Sequence, residues 1–207
     1  MKILYFSLKG GVGKSSLSLN HSQYLGVPYI TNDISTYIDK NEIKDFYQIE
    51  HSKKRLPKTV TRLEDAIFDF GAMSSAVDAK VTQAVKICDA VIIPTLCDVR
   101  SLEATMHTYE FIRQDAKQVI FIINNYTDTK KLEFAYDWIK NRVPNAIIFN
   151  VRKTTLFERV ARDGMKWFEN VGHRRGEHML QKSKRKHELM FSLIETIVKD
   201  EGDLYVA

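Results

Sequence analysis

The sequence predicts an α/β protein with a doubly wound, mainly parallel sheet that carries helices on both faces. Short Ile/Val/Phe-rich runs recur along the 207 residues, stretches with helical spacing separate most of them, and a glycine-rich turn follows the first run. Strands that are apolar throughout are buried on both faces, as in parallel sheets between helices. The expected strands are residues 3–8, 66–70, 90–94, 119–123 and 146–151, with a shorter candidate at 27–30.

Length and composition indicate a single domain over residues 1–207. With 44% hydrophobic residues, a chain of this size buries roughly 70% of the surface that its unfolded form exposes. No apolar stretch approaches the ~20 residues of a membrane span, and the first strand begins so early that we expect no N-terminal helix-turn-helix domain. Cys88 and Cys97 lie in or beside an apolar run without CxxC spacing, which indicates core residues of a reduced, cytoplasmic protein.

The first strand leads into the sequence Lys-Gly-Gly-Val-Gly-Lys-Ser-Ser at residues 9–16, and an amphipathic run follows at 17–25. Where a strand is followed by a glycine loop and then by a helix, the backbone N–H groups of the loop and the helix dipole attract phosphate oxygens. Lys14 would reach the β- and γ-phosphates, and the Ser15 hydroxyl would coordinate Mg²⁺. The alternative is a tight turn without a ligand. The candidate nucleotide-binding residues here are Gly10, Gly11, Val12, Gly13, Lys14, Ser15 and Ser16.

This loop departs from the strict P-loop pattern G-x-x-x-x-G-K-[ST], since Leu8 stands at the first glycine and a second lysine, Lys9, begins the loop. It resembles the deviant Walker A motif of the ParA/MinD class of P-loop ATPases, and most closely that of the small ParA-type (ParF-like) plasmid partition ATPases. In that class the early lysine reaches the nucleotide of the partner subunit. The resemblance therefore implies that Lys9 acts in trans, within a homodimer that forms with ATP and Mg²⁺.

The candidate strand at 27–30 leads into Thr31-Asn32-Asp33, which places Asp33 at the same sheet edge as the glycine loop. An acid there can order the attacking water or the magnesium shell. In the ParA/MinD class this strand ends in Asp-x-Asp, whose second member is catalytic. Asp33 matches the second position, while Thr31 replaces the first acid. The alternative is a turn or helix-capping aspartate.

Residues 39–64 are rich in charge, contain Pro57 and lack a sustained helical period. We interpret them as a surface excursion with a candidate short strand at 46–49, and assign them no chemistry.

The run at 66–70, Ala-Ile-Phe-Asp-Phe, ends beside Gly71 and has the form of a Walker B strand. Its aspartate, Asp69, would support Mg²⁺, often through water. A carboxylate buried among apolar side chains costs several kcal/mol unless a cation or hydrogen bonds compensate it. An aspartate that caps the next helix is the alternative.

Three later stretches resemble parts of ParA relatives. The run at 90–94 and the helix start near Ser101 correspond to a segment that either packs in the core or shapes the dimer face. Asn124 aligns with a residue that commonly contacts adenine, and its amide offers a donor and an acceptor. Val151 and Arg152 begin a loop that flanks the nucleotide base in relatives.

Basic residues concentrate between positions 173 and 187, where Glu177 is the single acid, although the net charge of the chain is only +5. Such a cluster attracts nucleic acid, while a solvated surface is the alternative. The apolar side of the final helix, near residues 178–199, is expected to pack on the core, and the acidic end of the chain argues against a membrane surface. The candidate DNA-binding residues are Arg174, Arg175, Lys182, Lys184, Arg185 and Lys186, with Arg152 and Lys153 as a second patch.

The resemblance implies a weakly active, nucleoid-associated ATPase that partitions plasmid DNA. Its dimer would bind DNA nonspecifically, and a centromere-binding, ParB-like adaptor would stimulate hydrolysis. One alternative is a spatial regulator that positions a protein cargo or conjugation machinery with the same dimer switch. Another is a metabolic P-loop enzyme, such as a carboxylating ligase or a cluster-loading ATPase.

Overall fold

The structure is a computed structural model that describes residues 1–32, 43, 45–50, 52–71, 79–157, 171 and 177–203. Within these residues, seven strands form one sheet in the order β3-β2-β4-β1-β5-β6-β7. The strands are β1 (Lys2–Phe6), β2 (Tyr29–Thr31), β3 (Phe46–Gln48), β4 (Ala66–Phe70), β5 (Ala90–Thr95), β6 (Val119–Tyr126) and β7 (Ile147–Arg152). The helices are α1 (Lys14–Leu25), α2 (Lys58–Thr61), α3 (Ala79–Ile87), α4 (Val99–Ile112), α5 (Thr129–Arg142) and α6 (His178–Asp203).

Every strand pair in the sheet is parallel, which confirms the predicted doubly wound fold. At the centre of the sheet, Tyr5 of β1 lies opposite Asp69 of β4 on one side and Ile92 of β5 on the other. β1 ends two residues before the predicted end, because the N–H of Leu8 donates to Thr108 Oγ1 instead of a strand partner. The carboxyl ends of parallel strands share one edge, where ligands of such sheets bind.

The two faces of the sheet bury separate apolar clusters. One cluster joins strand residues such as Leu4 and Phe68 to helices α3, α4 and α5, and it contains Cys88. The other joins Ile3 and Ile67 to α1 and to the apolar side of α6. The predicted packing of the final helix against the core is therefore confirmed. Among the described residues, no helix combines the length and the apolar character that crossing a membrane requires.

The segment predicted as a surface excursion contributes to the fold more than its charge suggests. β3 extends the sheet beside β2, which confirms the short candidate strand. Ile49, Leu56 and Val60 are each at most 5% exposed and belong to the core cluster on the side of α3 to α5. This segment therefore adds a strand and buried apolar side chains to the fold.

Candidate nucleotide-binding site

The glycine loop lies between β1 and α1 and has the backbone that phosphate binding requires. Gly11 and Gly13 adopt left-handed conformations, with φ of 73° and 91°, which residues with a Cβ rarely adopt. Gly13 precedes α1, and no side chain caps the first turn of this helix. The N–H groups of that turn lack intrahelical partners, and the helix dipole favours an anion beside them.

Lys14 lies beneath the loop with only 7% of its surface exposed. Its Nζ donates to the carbonyl oxygen of Lys9 at 3.0 Å, so the ammonium group is held inside the curve of the loop. An ammonium group has three donors, and it can therefore contact a phosphate from this position. Ser15 is partly exposed, Ser16 is exposed and Val12 is buried.

Asp69 is 1% exposed at the second-last position of β4. The hydroxyl of Tyr29 donates to Asp69 Oδ2 at 2.7 Å. Burial, and then the charge of Asp69, raise the pKa of Tyr29, so this hydroxyl keeps its proton. Asn32 closes the end of the same strand, since its Oδ1 accepts from the N–H of Gly71 at 2.8 Å. The structure thus compensates the buried carboxylate with a hydrogen bond that the sequence did not suggest.

The three residues proposed to lie near the nucleotide base belong to the carboxyl-terminal halves of β6 and β7. Asn124 contacts the glycine loop, because its Nδ2 donates to the carbonyl oxygen of Val12 at 2.9 Å. Val151 is 6% exposed and packs in the core cluster beneath α6. Arg152 is exposed at the last position of β7.

Lys9 lies within its own chain beside Asp98, with 3.6 Å between its Nζ and Asp98 Oδ1. Asp98 also caps α4, because it accepts hydrogen bonds from the N–H and the hydroxyl of Ser101. Burial alone would raise the pKa of Asp98, but the Ser101 hydrogen bonds and the Lys9 charge hold it below its usual value. Asp98 was not among the residues predicted from the sequence, although an aspartate just before an amphipathic run is a recognised start signal of a helix.

The structure brings parts of the two predicted basic patches together. The end of β7 and the first turns of α6 line an open cavity of about 510 Å³. Its lining residues are Arg152, Lys153, Thr154, Thr155, Met179, Leu180, Lys182, Ser183 and Lys186. Four cationic side chains, from two segments about thirty residues apart in the chain, therefore line the same cavity. They are Arg152, Lys153, Lys182 and Lys186.

The other predicted basic residues are placed differently. Arg185 is exposed but does not line the cavity. Lys184 is 18% exposed, and its Nζ lies 3.9 Å from Glu188 Oε1, so a neighbouring carboxylate partly compensates its charge. Arg174 and Arg175 lie outside the described residues, as does the candidate catalytic residue Asp33.

Comparison with solved structures relates this architecture to a group of ATPases. A ParA family ATPase from Chlorobium tepidum superposes with a TM-score of 0.64 at 15% identity, over 90% of this chain and 97% of that one. A candidate plasmid partition protein from Borrelia burgdorferi B31, bound to AMPPNP, gives 0.63 at 15% identity, over 94% and 98%. The fold is that of the ParA/MinD-type ATPases.

The same fold occurs in proteins with another cellular role. The septum site-determining protein MinD from Pyrococcus horikoshii, complexed with Mg-ADP, superposes with a TM-score of 0.59 at 15% identity, over 79% of this chain and 85% of that one. No family sequence model matches the chain, and no curated protein sequence is similar to it. At these identities the likeness shows the fold alone.

The residues at the loop fit a nucleotide with its magnesium ion. The glycine backbone and the uncapped start of α1 suit phosphate oxygens. Ser15 at the start of the helix and Asp69 near the end of β4 carry oxygen atoms of the kind that Mg²⁺ prefers, and they would hold the ion there. Among the described residues, no group of three or more His, Cys, Asp or Glu side chains forms a separate metal site. A magnesium ion carried by phosphates and water suits this small ligand set.

Proposed function

We propose that this protein hydrolyses ATP to ADP and phosphate at the glycine loop between β1 and α1. The observation that carries the proposal is the loop itself, with left-handed Gly11 and Gly13, an uncapped helix start and the enclosed ammonium group of Lys14. Preorganised donors aimed at the phosphates supply most of the catalysis in phosphoryl transfer, because the protein has little covalent chemistry to perform.

Each side chain of the site has a proposed part in this reaction. Lys14 and the N–H groups of the first turn of α1 bind the β- and γ-phosphates. Ser15 and Asp69 would hold Mg²⁺, which neutralises charge on the phosphates. Asp33 orients the attacking water. Tyr29 fixes the orientation of Asp69 through its hydrogen bond.

Lys9 is proposed to act on the nucleotide of a partner subunit, so that two chains enclose two ATP molecules. In the single chain Lys9 pairs with Asp98 across 3.6 Å, and both side chains remain partly exposed. Exposed ion pairs contribute only ~0.2–1 kcal/mol. A partner's triphosphate would therefore compete readily with Asp98 for this lysine.

We propose further that the ATP-bound dimer binds DNA nonspecifically and partitions a plasmid with the help of a ParB-like adaptor. The cavity between β7 and α6 supports this proposal, because Arg152, Lys153, Lys182 and Lys186 all line it. Lysine and arginine contacts to phosphates position DNA without reading its sequence, and they release counterions. Affinity should therefore fall steeply with salt.

The testing experiment measures binding to an arbitrary-sequence duplex with ATP, with ADP and without nucleotide, over a salt series. We expect salt-sensitive binding that requires ATP and is lost in Lys9→Ala and Lys14→Ala. Lys182→Glu/Lys186→Glu should remove it, whereas the control Lys130→Glu/Lys131→Glu changes two exposed lysines of α5 outside the cavity and should retain it. The salt slope should fall by roughly 0.9 for each phosphate contact removed.

Absence of DNA binding under every nucleotide condition would contradict the DNA-partition proposal. With ATP-dependent dimerisation retained, that result would favour the positioning of a protein cargo by the same switch. Turnover of a small-molecule co-substrate would instead favour a metabolic P-loop enzyme. Retained Mg-ATP binding in Lys14→Ala would remove the glycine loop from the mechanism altogether.

A further inference from the structure

We propose that Asn124 is a positioning residue that holds the glycine loop in its phosphate-binding conformation. This inference rests on the proposed nucleotide binding. It assigns to Asn124 a role in binding the phosphate chain, which is separate from the adenine contact that the resemblance implies.

The first observation is the hydrogen bond between the end of β6 and the loop. Asn124 Nδ2 donates to the carbonyl oxygen of Val12 at 2.9 Å, although the two residues are 112 positions apart in the chain. The Val12 side chain is only 1% exposed, so this residue is fixed on its other side by packing. Val12 thus anchors the loop immediately before Gly13, at the start of α1.

The second observation is the close approach of the same amide to Gly13. A Cβ built on Gly13 would overlap Asn124 Nδ2 and lie 3.4 Å from its Cγ. Gly13 also has φ of 91°, so its conformation and its surroundings both require glycine. Asn124 therefore packs against the residue whose carbonyl oxygen accepts the α1 hydrogen bond from Leu17.

The third observation explains how the side chain reaches the loop. The pairing of β6 with β7 shifts register between Ile123 and Tyr126. Within this irregularity Asn125 has φ of 59°, a left-handed conformation that asparagine tolerates better than most residues. Bulges of this kind redirect a side chain and often lie next to active sites. Here the irregularity coincides with the amide that contacts the loop.

These contacts predict that Asn124 affects the binding of the phosphates, which all nucleotides have in common. The Asn124 Nδ2 donor faces a loop carbonyl, so its loss should relax the loop whatever base the ligand carries. A direct adenine contact would instead affect ATP alone. Comparing the loss of affinity for ligands with different bases therefore distinguishes the two roles.

The experiment compares calorimetric affinities of Asn124→Leu with those of the wild type for Mg-ATP, Mg-GTP and Mg-tripolyphosphate. Leu has nearly the shape of Asn and adds no charge, but it lacks the Nδ2 donor. We expect each affinity to fall by a similar factor, roughly tenfold for one lost hydrogen bond. A loss confined to ATP, with tripolyphosphate binding unchanged, would overturn the proposal. The control Asn125→Gly keeps the left-handed conformation and should stay within about twofold of the wild type.

A second measurement tests the contact without any nucleotide. We expect Gly13→Ala to lower the unfolding midpoint and Asn124→Ala to recover part of that loss in the double variant, because it removes the overlapping amide. If the decreases in the unfolding midpoint were strictly additive, the proposed contact between Asn124 and Gly13 would be contradicted. Failure of the wild type to bind any of the three ligands, together with a non-additive cycle, would instead contradict only the proposed nucleotide function.

Discussion

Asp69 is the residue whose position demands most explanation, because a carboxylate that is 1% exposed loses nearly all of its hydration. Its Oδ2 accepts a hydrogen bond from Tyr29, whose own ring is also 1% exposed. Tyr5 lies opposite Asp69 on the neighbouring strand. Burial, and then the charge of Asp69, raise the pKa of Tyr5, as they do for Tyr29. Both phenols therefore remain neutral beside the carboxylate.

Tyr29→Phe should destabilise the fold and disturb the Mg²⁺ dependence of ATP hydrolysis, because it removes a donor to a buried carboxylate. The expected loss is about 1–3 kcal/mol in the free energy of unfolding, measured in urea. Tyr47→Phe on β3 is a matched control, since Tyr47 is only partly buried in the apolar core. Equal stabilities of the two variants would show that the Tyr29 hydroxyl does not support Asp69.

The sequence suggested Asp69 but not its partner, for a physical reason. An acid that ends an apolar run can be recognised locally, whereas Tyr29 lies 40 positions away and reaches Asp69 only because β2 pairs with β4. Asn124 shows the same limit, since its contact with Val12 depends on strand order and on a local register shift. The catalytic roles of Lys9, Lys14 and Asp33 and the metal-binding role of Asp69 stay predictions, and Asp33 lies outside the described residues.

At the scale of elements, α1 and α6 meet through an aromatic stack that contains a buried histidine. His21 of α1 lies parallel to Phe191 of α6, with 4.4 Å between ring centroids and 8° between planes. His21 Nδ1 is 2.9 Å from the Tyr5 hydroxyl, and its Nε2 has no hydrogen-bond partner in the described part of the chain. Burial lowers the pKa of His21 to about 3. Burial also lowers the pKa of His187 on α6.

Stability should therefore fall as the pH drops below the value at which an unfolded histidine protonates. Above about pH 6.5 His21 is neutral in both states, so its contribution is complete. Between about pH 6.5 and its folded pKa of about 3, the unfolded chain binds the extra proton. In that window His21 lowers the free energy of unfolding by about 1.4 kcal/mol for each pH unit of acidification. The lowered pKa of His187 has an effect in the same direction.

Urea unfolding at pH 7.5 and at pH 5 checks this expectation. His21→Phe should be less stable than the wild type at pH 7.5, since it leaves the Tyr5 hydroxyl without its partner, but it should lose less on acidification. The control His178→Gln alters an exposed residue at the start of α6 and should keep the wild-type pH slope. Identical slopes in His21→Phe and the wild type would contradict the role of the buried imidazole.

The positions of helices and strands could be predicted from the sequence where the pattern of apolar residues is regular. They could not be predicted where that pattern is irregular. The apolar runs predicted the core strands, and the spacing of apolar residues predicted α6. The contribution of residues 39–64 to the core was not predicted in detail. Single side chains such as Ile49 and Leu56 are buried there, but they form no periodic pattern in the sequence. The contact of His21 with Phe191 also lay beyond sequence reasoning, since these residues are 170 positions apart and meet only through tertiary packing.

At the scale of the whole molecule, the surface around the glycine loop suits the proposed interface of the ATP-bound dimer. Leu8 and Val99 are 41% and 46% exposed, and they flank the paired residues Lys9 and Asp98 in the chain. Exposed apolar side chains around a weak ion pair suit a surface that a second chain covers. In the proposed dimer, Lys9 has to leave Asp98 before it can reach the partner's phosphates.

Asp98→Asn should therefore tighten dimerisation, while Lys9→Ala should abolish it. Asparagine caps helices as well as aspartate does, so α4 keeps its start and only the charge beside Lys9 is lost. Exposed ion pairs contribute ~0.2–1 kcal/mol each. The dimer releases two of them, which predicts an increase of about two- to thirtyfold in dimer affinity. Sedimentation velocity with Mg-AMPPNP measures this change. Asp115→Asn, which removes a surface acid paired with Lys86 at 3.5 Å, is the control and should leave affinity unchanged. Weaker dimerisation of Asp98→Asn would mean that the aspartate positions Lys9 for the partner and does not compete for it.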